Sequence, residues 1–500
     1  VRDAGGEAPI GLKQLAGLAL GPILFAVVLA LPIDVLPFRA HRLAAVFVWA
    51  VVYWVTEAVP VPVTAVLASV LSVVLGVAPA QTVLAAYGDP VIFLFIGSFM
   101  LAAAFQETGL DRRVAFGLLR FPWATRTPAR TLATVGAVTW AMSLWMSNTA
   151  TTAIMLPIGL GMLKSMGQLP AQGSGGAANH GFSIALLLML TWGSSTGGIG
   201  TPVGSPPNLI ALSMLRELAG RRLTFFDWMS VAFPMALLML GLCWVILTVR
   251  YARPTLPSAD VRAHVAAERA RLGAWRRGEI NVAVVFAMAV TLWILPGATA
   301  LVWPRAALPR FFERHLPEAI VALGAAVLLF LLPTDLRRGK FTLTWQNAVG
   351  IDWGTILLFG GGLSLGKLAF ETKLAEAVGT AVVRAAGADS VWALTAVAIA
   401  LGIALSETSS NTASASMLVP TVIAVAAGSG MSPVPPVLGA TLGASFGFML
   451  PVSTPPNAIV YGSGWIPLRE MMTSGIWLDV TGGLLIWVGL RVLCPLVGLV

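Results

Sequence analysis

Eleven stretches of this chain are apolar over lengths that suit a bilayer crossing. They lie at about residues 15–33, 43–59, 61–78, 91–106, 183–214, 229–249, 280–302, 318–333, 353–368, 430–464 and 475–498. A soluble core has no room for so many. Of the 500 residues, 57% are hydrophobic and 11% charged, whereas soluble chains carry about 25% charged residues. The surplus of apolar side chains has to face lipid. The expected fold class is therefore an all-α polytopic membrane protein of about eleven transmembrane helices.

Two further apolar segments, about 131–161 and 392–424, are long and carry a polar cluster near the middle. Each reads as a re-entrant helical hairpin. The loops give an orientation. Arg112, Arg113, Arg120, Arg126 and Arg130 cluster after the fourth span. Arg250, Arg253, Arg262, Arg269, Arg271, Arg276 and Arg277 fill the one long polar loop, and Arg337, Arg338 and Lys340 follow the eighth span. The positive-inside rule puts all three regions, and the N-terminus, in the cytoplasm. The net charge of +9 thus reflects loop placement. No basic face with an aromatic platform accompanies it, so nucleic acid is not expected as a partner. Cys243 and Cys494 lie in apolar spans without metal or redox spacing and read as packing residues. The segment Val1 to Gln14 lacks a signal peptide's basic start and cleavage site, so the first span is expected to remain a membrane helix.

The chain repeats itself. Leu94-Phe95-Ile96-Gly97 through Gly109-Leu110 aligns with Leu358-Phe359-Gly360-Gly361 through Leu374 at an offset of 264. Ser147-Asn148-Thr149-Ala150 matches Ser410-Asn411-Thr412-Ala413, and each is followed by a proline, Pro157 or Pro420, ten residues beyond its serine. Gly204-Ser205-Pro206-Pro207-Asn208 matches Ser453-Thr454-Pro455-Pro456-Asn457. Five full spans separate the two Ser-Asn-Thr motifs, and an odd number inverts the second half. The expected organisation is a segment 1–40, a first inverted repeat 41–250, a cytoplasmic connector 251–279 and a second inverted repeat 280–500.

Paired prolines break a helix, and broken backbone at membrane depth survives only where protein or a wet cavity satisfies it. Spans 183–214 and 430–464 are thus each expected to be two half-helices with an unwound middle. Helix N-termini there suit carboxylates. Unwound carbonyls and hydroxyls suit Na+, and asparagine serves both. No Lys, Arg or His occurs between Arg130 and Lys164 or between Arg384 and Arg469. A dianion bound beside these motifs lacks a nearby side-chain cation, so bound Na+ would have to complete its site. Glu407 either braces the second hairpin or takes part in coupling. Glu57 is expected to be structural, and Lys367 to snorkel at a helix end.

These motifs in this order, together with Trp54-Val55-Thr56-Glu57-Ala58 and Gly109-Leu110-Asp111-Arg112-Arg113, resemble the divalent anion/sodium symporter family over roughly residues 40–500. The resemblance implies homodimers in the plasma membrane, of the bacterial inner-membrane kind, surrounded by lipid. It implies a scaffold and an elevator-type transport domain. Carried over by motif, one sodium site would use Ser143, Ser147, Asn148 and the Gly204 carbonyl. The other would use Ser406, Ser409, Asn411 and Ser453, partly through backbone carbonyls. Substrate would contact Asn148, Thr149, Ser205, Pro206, Asn411, Thr412, Thr454 and Pro455. The base-free surroundings favour sodium symport over anion exchange. Succinate, malate and fumarate are the first expected substrates, with citrate and sulfate as alternatives. A serine hydrolase would need a base beside its nucleophile, and His41, His180, His264 and His315 lie away from every motif. A channel would need an open path, which two hairpin tips would block.

Overall fold

The computed structural model describes residues 11–33, 36–119, 126–166, 181–251, 258–303, 307–378 and 390–500. The readings of Val1–Ile10, Arg120, His180 and Arg253, and of the Arg262 and His264 side chains, fall outside what is described. Helices dominate. One small antiparallel pairing, Pro333–Asp335 with Lys340–Phe341, sits in the arginine-bearing connection after the eighth span. Among the described residues nine helices are long and apolar enough to cross a membrane. Two of these, Val391–Thr408 and Asn411–Gly428, are the arms of one hairpin. The spans expected at 61–78 and 318–333 are shorter than foreseen. Helices Val61–Val74 and Glu318–Leu331 have 14 residues each, about 21 Å of helix at ~1.5 Å per residue.

Both hairpins form. The first has arms Pro128–Ser143 and Asn148–Ser165, and the second has arms Val391–Thr408 and Asn411–Gly428. At each turn a serine caps the second arm. Ser147 Oγ accepts the Ala150 N–H at 3.2 Å, and Ser410 Oγ accepts that of Ala413 at 3.2 Å. Both expected broken helices also form, as Gly181–Gly198 with Pro206–Ala219, and Val434–Gly443 with Pro455–Tyr461. Each hairpin lies against its own broken helix through glycine. A side chain at Gly193 would start 3.2 Å from the Gly136 carbonyl oxygen, and one at Gly443 would start 2.6 Å from that of Ile399. Contacts this close substitute dispersion and shape fit for the hydrophobic drive that lipid removes.

Around this centre stand the plainer helices. Phe38–Thr56 ends at Glu57, whose φ of 51° turns the chain, and the Glu57 carbonyl accepts a hydrogen bond from Gln14. The structural reading of Glu57 fits that geometry. Lys367 departs from the snorkelling expectation. Its Nζ lies 2.6 Å from the Glu217 carboxylate, Glu217 also pairs with Arg216, and Arg216 reaches Asp89 at 2.8 Å. The chain of charges ties three helices that are distant in sequence, which is why no local pattern announced it. Cys243 and Cys494 are buried and unbonded to each other, as packing residues should be.

Candidate functional site

Four helix N-termini converge on one cavity of 1590 Å³. Its lining takes Ser147, Asn148 and Thr149 from the first tip, and Ser410, Asn411 and Thr412 from the second. Ser205 with Pro206 and Thr454 with Pro455 come from the two helix breaks. Every expected substrate contact is therefore on one surface. Unpaired N–H groups and aligned peptide dipoles make such a surface favourable for an anion. The Ser205 and Thr454 hydroxyls cap their helices without being spent on a helix N–H. The Thr454 hydroxyl is buried with no hydrogen-bond partner. An orphaned buried hydroxyl is costly, so it is a ready contact for a bound group.

Behind the tips the two halves share two sets of hydrogen bonds. Ser143 Oγ donates to Asn148 Oδ1 at 2.8 Å, and Ser406 Oγ donates to Asn411 Oδ1 at 2.8 Å. Each bond turns the amide oxygen back into its hairpin and leaves the amide nitrogen, a double donor, on the other side. The motif asparagines after the paired prolines hold the unwound backbone. Asn208 Nδ2 donates to the Gly198 and Thr201 carbonyls, both at 2.8 Å. Asn457 Nδ2 donates to those of Gly447 and Leu450 at 2.7 and 2.9 Å. In each break the first of these carbonyls, Gly198 or Gly447, thereby gains a donor, and the second, Thr201 or Leu450, gains one beside the Gly204 or Ser453 N–H at 3.3 Å.

These clamps leave oxygen-lined hollows. A side chain at Gly204 would start 2.6 Å from the Gly198 carbonyl oxygen, 2.9 Å from that of Ser143 and 3.0 Å from that of Leu144. Asn148 Oδ1 presses on Gly198 next to them. Hard neutral oxygens gathered this closely around a glycine are of the type that a small cation takes as ligands. In the second half a side chain at Gly447 would start 2.8 Å from the Ser453 Cβ, 3.1 Å from the Ser406 hydroxyl and 3.2 Å from the Ser406 carbonyl oxygen. Ser143, Asn148 and Gly204 thus gather in one place, as do Ser406, Asn411 and Ser453, while the Ser147 hydroxyl caps the second arm of its hairpin. The Ser409 side chain is turned elsewhere. Its hydroxyl donates to the Trp54 carbonyl at 3.2 Å, anchoring the second tip to the Trp-x-Thr-Glu-Ala turn.

Glu407 braces the second hairpin. Its Oε1 accepts the N–H groups of Phe448 and Met449 at 2.6 and 2.9 Å, and its Oε2 accepts the Ser453 hydroxyl at 2.8 Å. Beside it lies Asp479 from the last helix, Leu468–Leu496. Sequence reasoning missed Asp479. Its only signal was an acid inside an apolar span. The basic residues lining the cavity, Arg112, Arg271 and Arg276, are exposed and stand on the side of the long connector. Burial pushes the nearby Asp111 carboxyl above its ordinary value, opposed by the Arg112 amide and charge.

Two hairpins and two broken helices around a central cavity define an integral membrane transporter. The chain belongs to the family of the sodium:sulfate symporter transmembrane region, whose profile matches residues 12–499. It is 32% identical to a sodium-dependent dicarboxylate transporter, SdcS, of Staphylococcus saprophyticus, with 93% of this chain and 89% of that protein aligned. It is 30% identical to the SdcS of a Staphylococcus aureus strain, over 98% of this chain and 93% of the relative. In fold it is similar to the YdaH transporter of Alcanivorax borkumensis, with a TM-score of 0.57, 15% identity, and 83% of this chain and 88% of that one covered.

Proposed function

We propose that this protein is a secondary transporter that moves dicarboxylates, with succinate, malate and fumarate foremost, together with sodium ions. The observation that carries the reading is the pairing of an anion-suited surface with two oxygen-lined hollows directly behind it. Asn148 and Asn411 stand at the boundary, each facing both. A dianion at the four helix N-termini has no buried basic side chain from the motifs beside it. Cations in the hollows supply the compensating charge. Binding of the two is then mutually dependent, which is what coupling requires. The curated relatives, named as sodium-dependent dicarboxylate transporters, support the same reading.

The hairpins and broken helices form the mobile part, and it travels as an elevator against the scaffold of a homodimer. The cavity opens on the side of the arginine-rich connector, so the site faces the cytoplasm in this state, with the N-terminus on the same side. Uptake of labelled succinate, citrate and sulfate into proteoliposomes, with and without an inward sodium gradient, tests the proposal. Concentrative succinate uptake only with the sodium gradient is the expected result. Equal uptake without sodium would remove it.

A further inference from the structure

The second half of the site contains a buried acidic pair that the first half lacks. Asp479 lies on a small-residue face of the last helix. A side chain at Gly475, one turn before it, would start 2.5 Å from the Phe448 carbonyl oxygen. One at Gly483, one turn after it, would start 3.0 Å from the Ile403 Cδ1. Ile403 is in turn one helical turn from Glu407. Asp479 is thus wedged between the unwound segment 444–454 and the second hairpin, with its carboxyl group within hydrogen-bonding reach of Glu407.

The two carboxylates are not equally provided for. Glu407 accepts three hydrogen bonds from Phe448, Met449 and Ser453. Asp479 is 4% exposed, and both of its oxygens are buried without a hydrogen-bond partner. No basic residue occurs between Arg384 and Arg469 to neutralise the pair. Abutting buried carboxylates lose hydration and repel, so a positive occupant is required. A shared proton would satisfy one Asp479 oxygen and leave the other orphaned. A metal ion can engage both, together with Glu407.

We propose that Glu407 and Asp479 bind a sodium ion, additional to the two repeat-related positions, between the second hairpin and the last helix. The first half cannot do the same. Leu144 stands at the repeat position of Glu407, and its Cδ2 packs toward Gly200. Neither acid lines the cavity, so the ion is occluded and does not touch the dicarboxylate. This inference rests on the sodium-coupled reading above and deepens it.

The test measures the sodium-to-succinate coupling ratio of the full-length protein in proteoliposomes, from the membrane potential at which net succinate flux vanishes. Asp479→Asn is expected to lower the ratio by one sodium ion. An unchanged ratio in a variant that still transports would overturn the proposal. So would a wild type in which a proton gradient, in place of that ion, sets the reversal point. Should the variant fail to assemble, labelled sodium bound per wild-type chain at saturation decides. One ion beyond the two repeat-related positions supports the proposal, and none beyond them overturns it. Sodium-independent uptake by the wild type is a separate outcome. It would overturn the proposed function itself before any variant is made.

Discussion

The two halves of this protein build the same polar frame and then charge it differently. In each, a hairpin serine holds a tip asparagine, and a Pro-Pro-Asn asparagine holds two carbonyls of a helix break. The first break is short, residues 199–205, and its hairpin position facing the unwound chain is Leu144. The second is longer, residues 444–454, and Phe448 and Met449 within it turn their N–H groups to Glu407. Extra unwound backbone creates extra unsatisfied donors, and an acid answers them. The comparison teaches that the repeat conserves geometry, while the electrostatics of each half follow from how much backbone is left unwound.

The largest effect expected is common to both halves. Asn148→Ala or Asn411→Ala should abolish sodium-driven uptake while the protein still purifies as a folded species, because each amide stands between the cation hollow and the anion surface. Full uptake by either variant in proteoliposomes would break the equivalence of the halves.

Stability should then separate them. Asn457 carries one bond more than Asn208, since Thr191 also donates to its Oδ1, whereas the Asn208 Oδ1 is buried without a partner. Asn457→Ala and Asn208→Ala each orphan one carbonyl, that of Gly447 or Gly198, at a cost of about 1–3 kcal/mol, while the Leu450 and Thr201 carbonyls keep the Ser453 and Gly204 N–H groups. Asn457→Ala should lower the thermal midpoint further than Asn208→Ala in detergent. The reverse order would mean that the first break depends more on its clamp.

The smallest change is expected at a charge that the two halves do not share. Lys367 has no counterpart in the first half, where Ala103 stands, and its pair with Glu217 is about 30% exposed on both sides. Lys367→Met should cost no more than about 1 kcal/mol of stability and leave sodium-driven uptake close to wild type. A loss of uptake would show that this bridge belongs to the moving part.

Much of this was legible in the chain. Apolar length announced membrane helices, paired prolines announced the two breaks, and polar clusters in long apolar segments announced the hairpins, because each is a local consequence of backbone chemistry. The Ser-Asn-Thr and Pro-Pro-Asn residues were readable as a site because they recur in order. Other features were not. The Ser409 hydroxyl could have faced the site by its position, yet it is drawn to the Trp54 carbonyl of a helix far away in sequence. The bridge from Lys367 to Glu217 and the meeting of Glu407 with Asp479 join elements far apart in sequence.

The sequence by itself determined where the backbone must be helical, where it must break, and that the two halves mirror each other, since proline, glycine and apolar length act on their own neighbourhood. Only the tertiary structure decided which oxygens share a hollow and which acids share a wall. Hydrogen bonding and charge act across a few ångströms of space, whatever the distance along the chain.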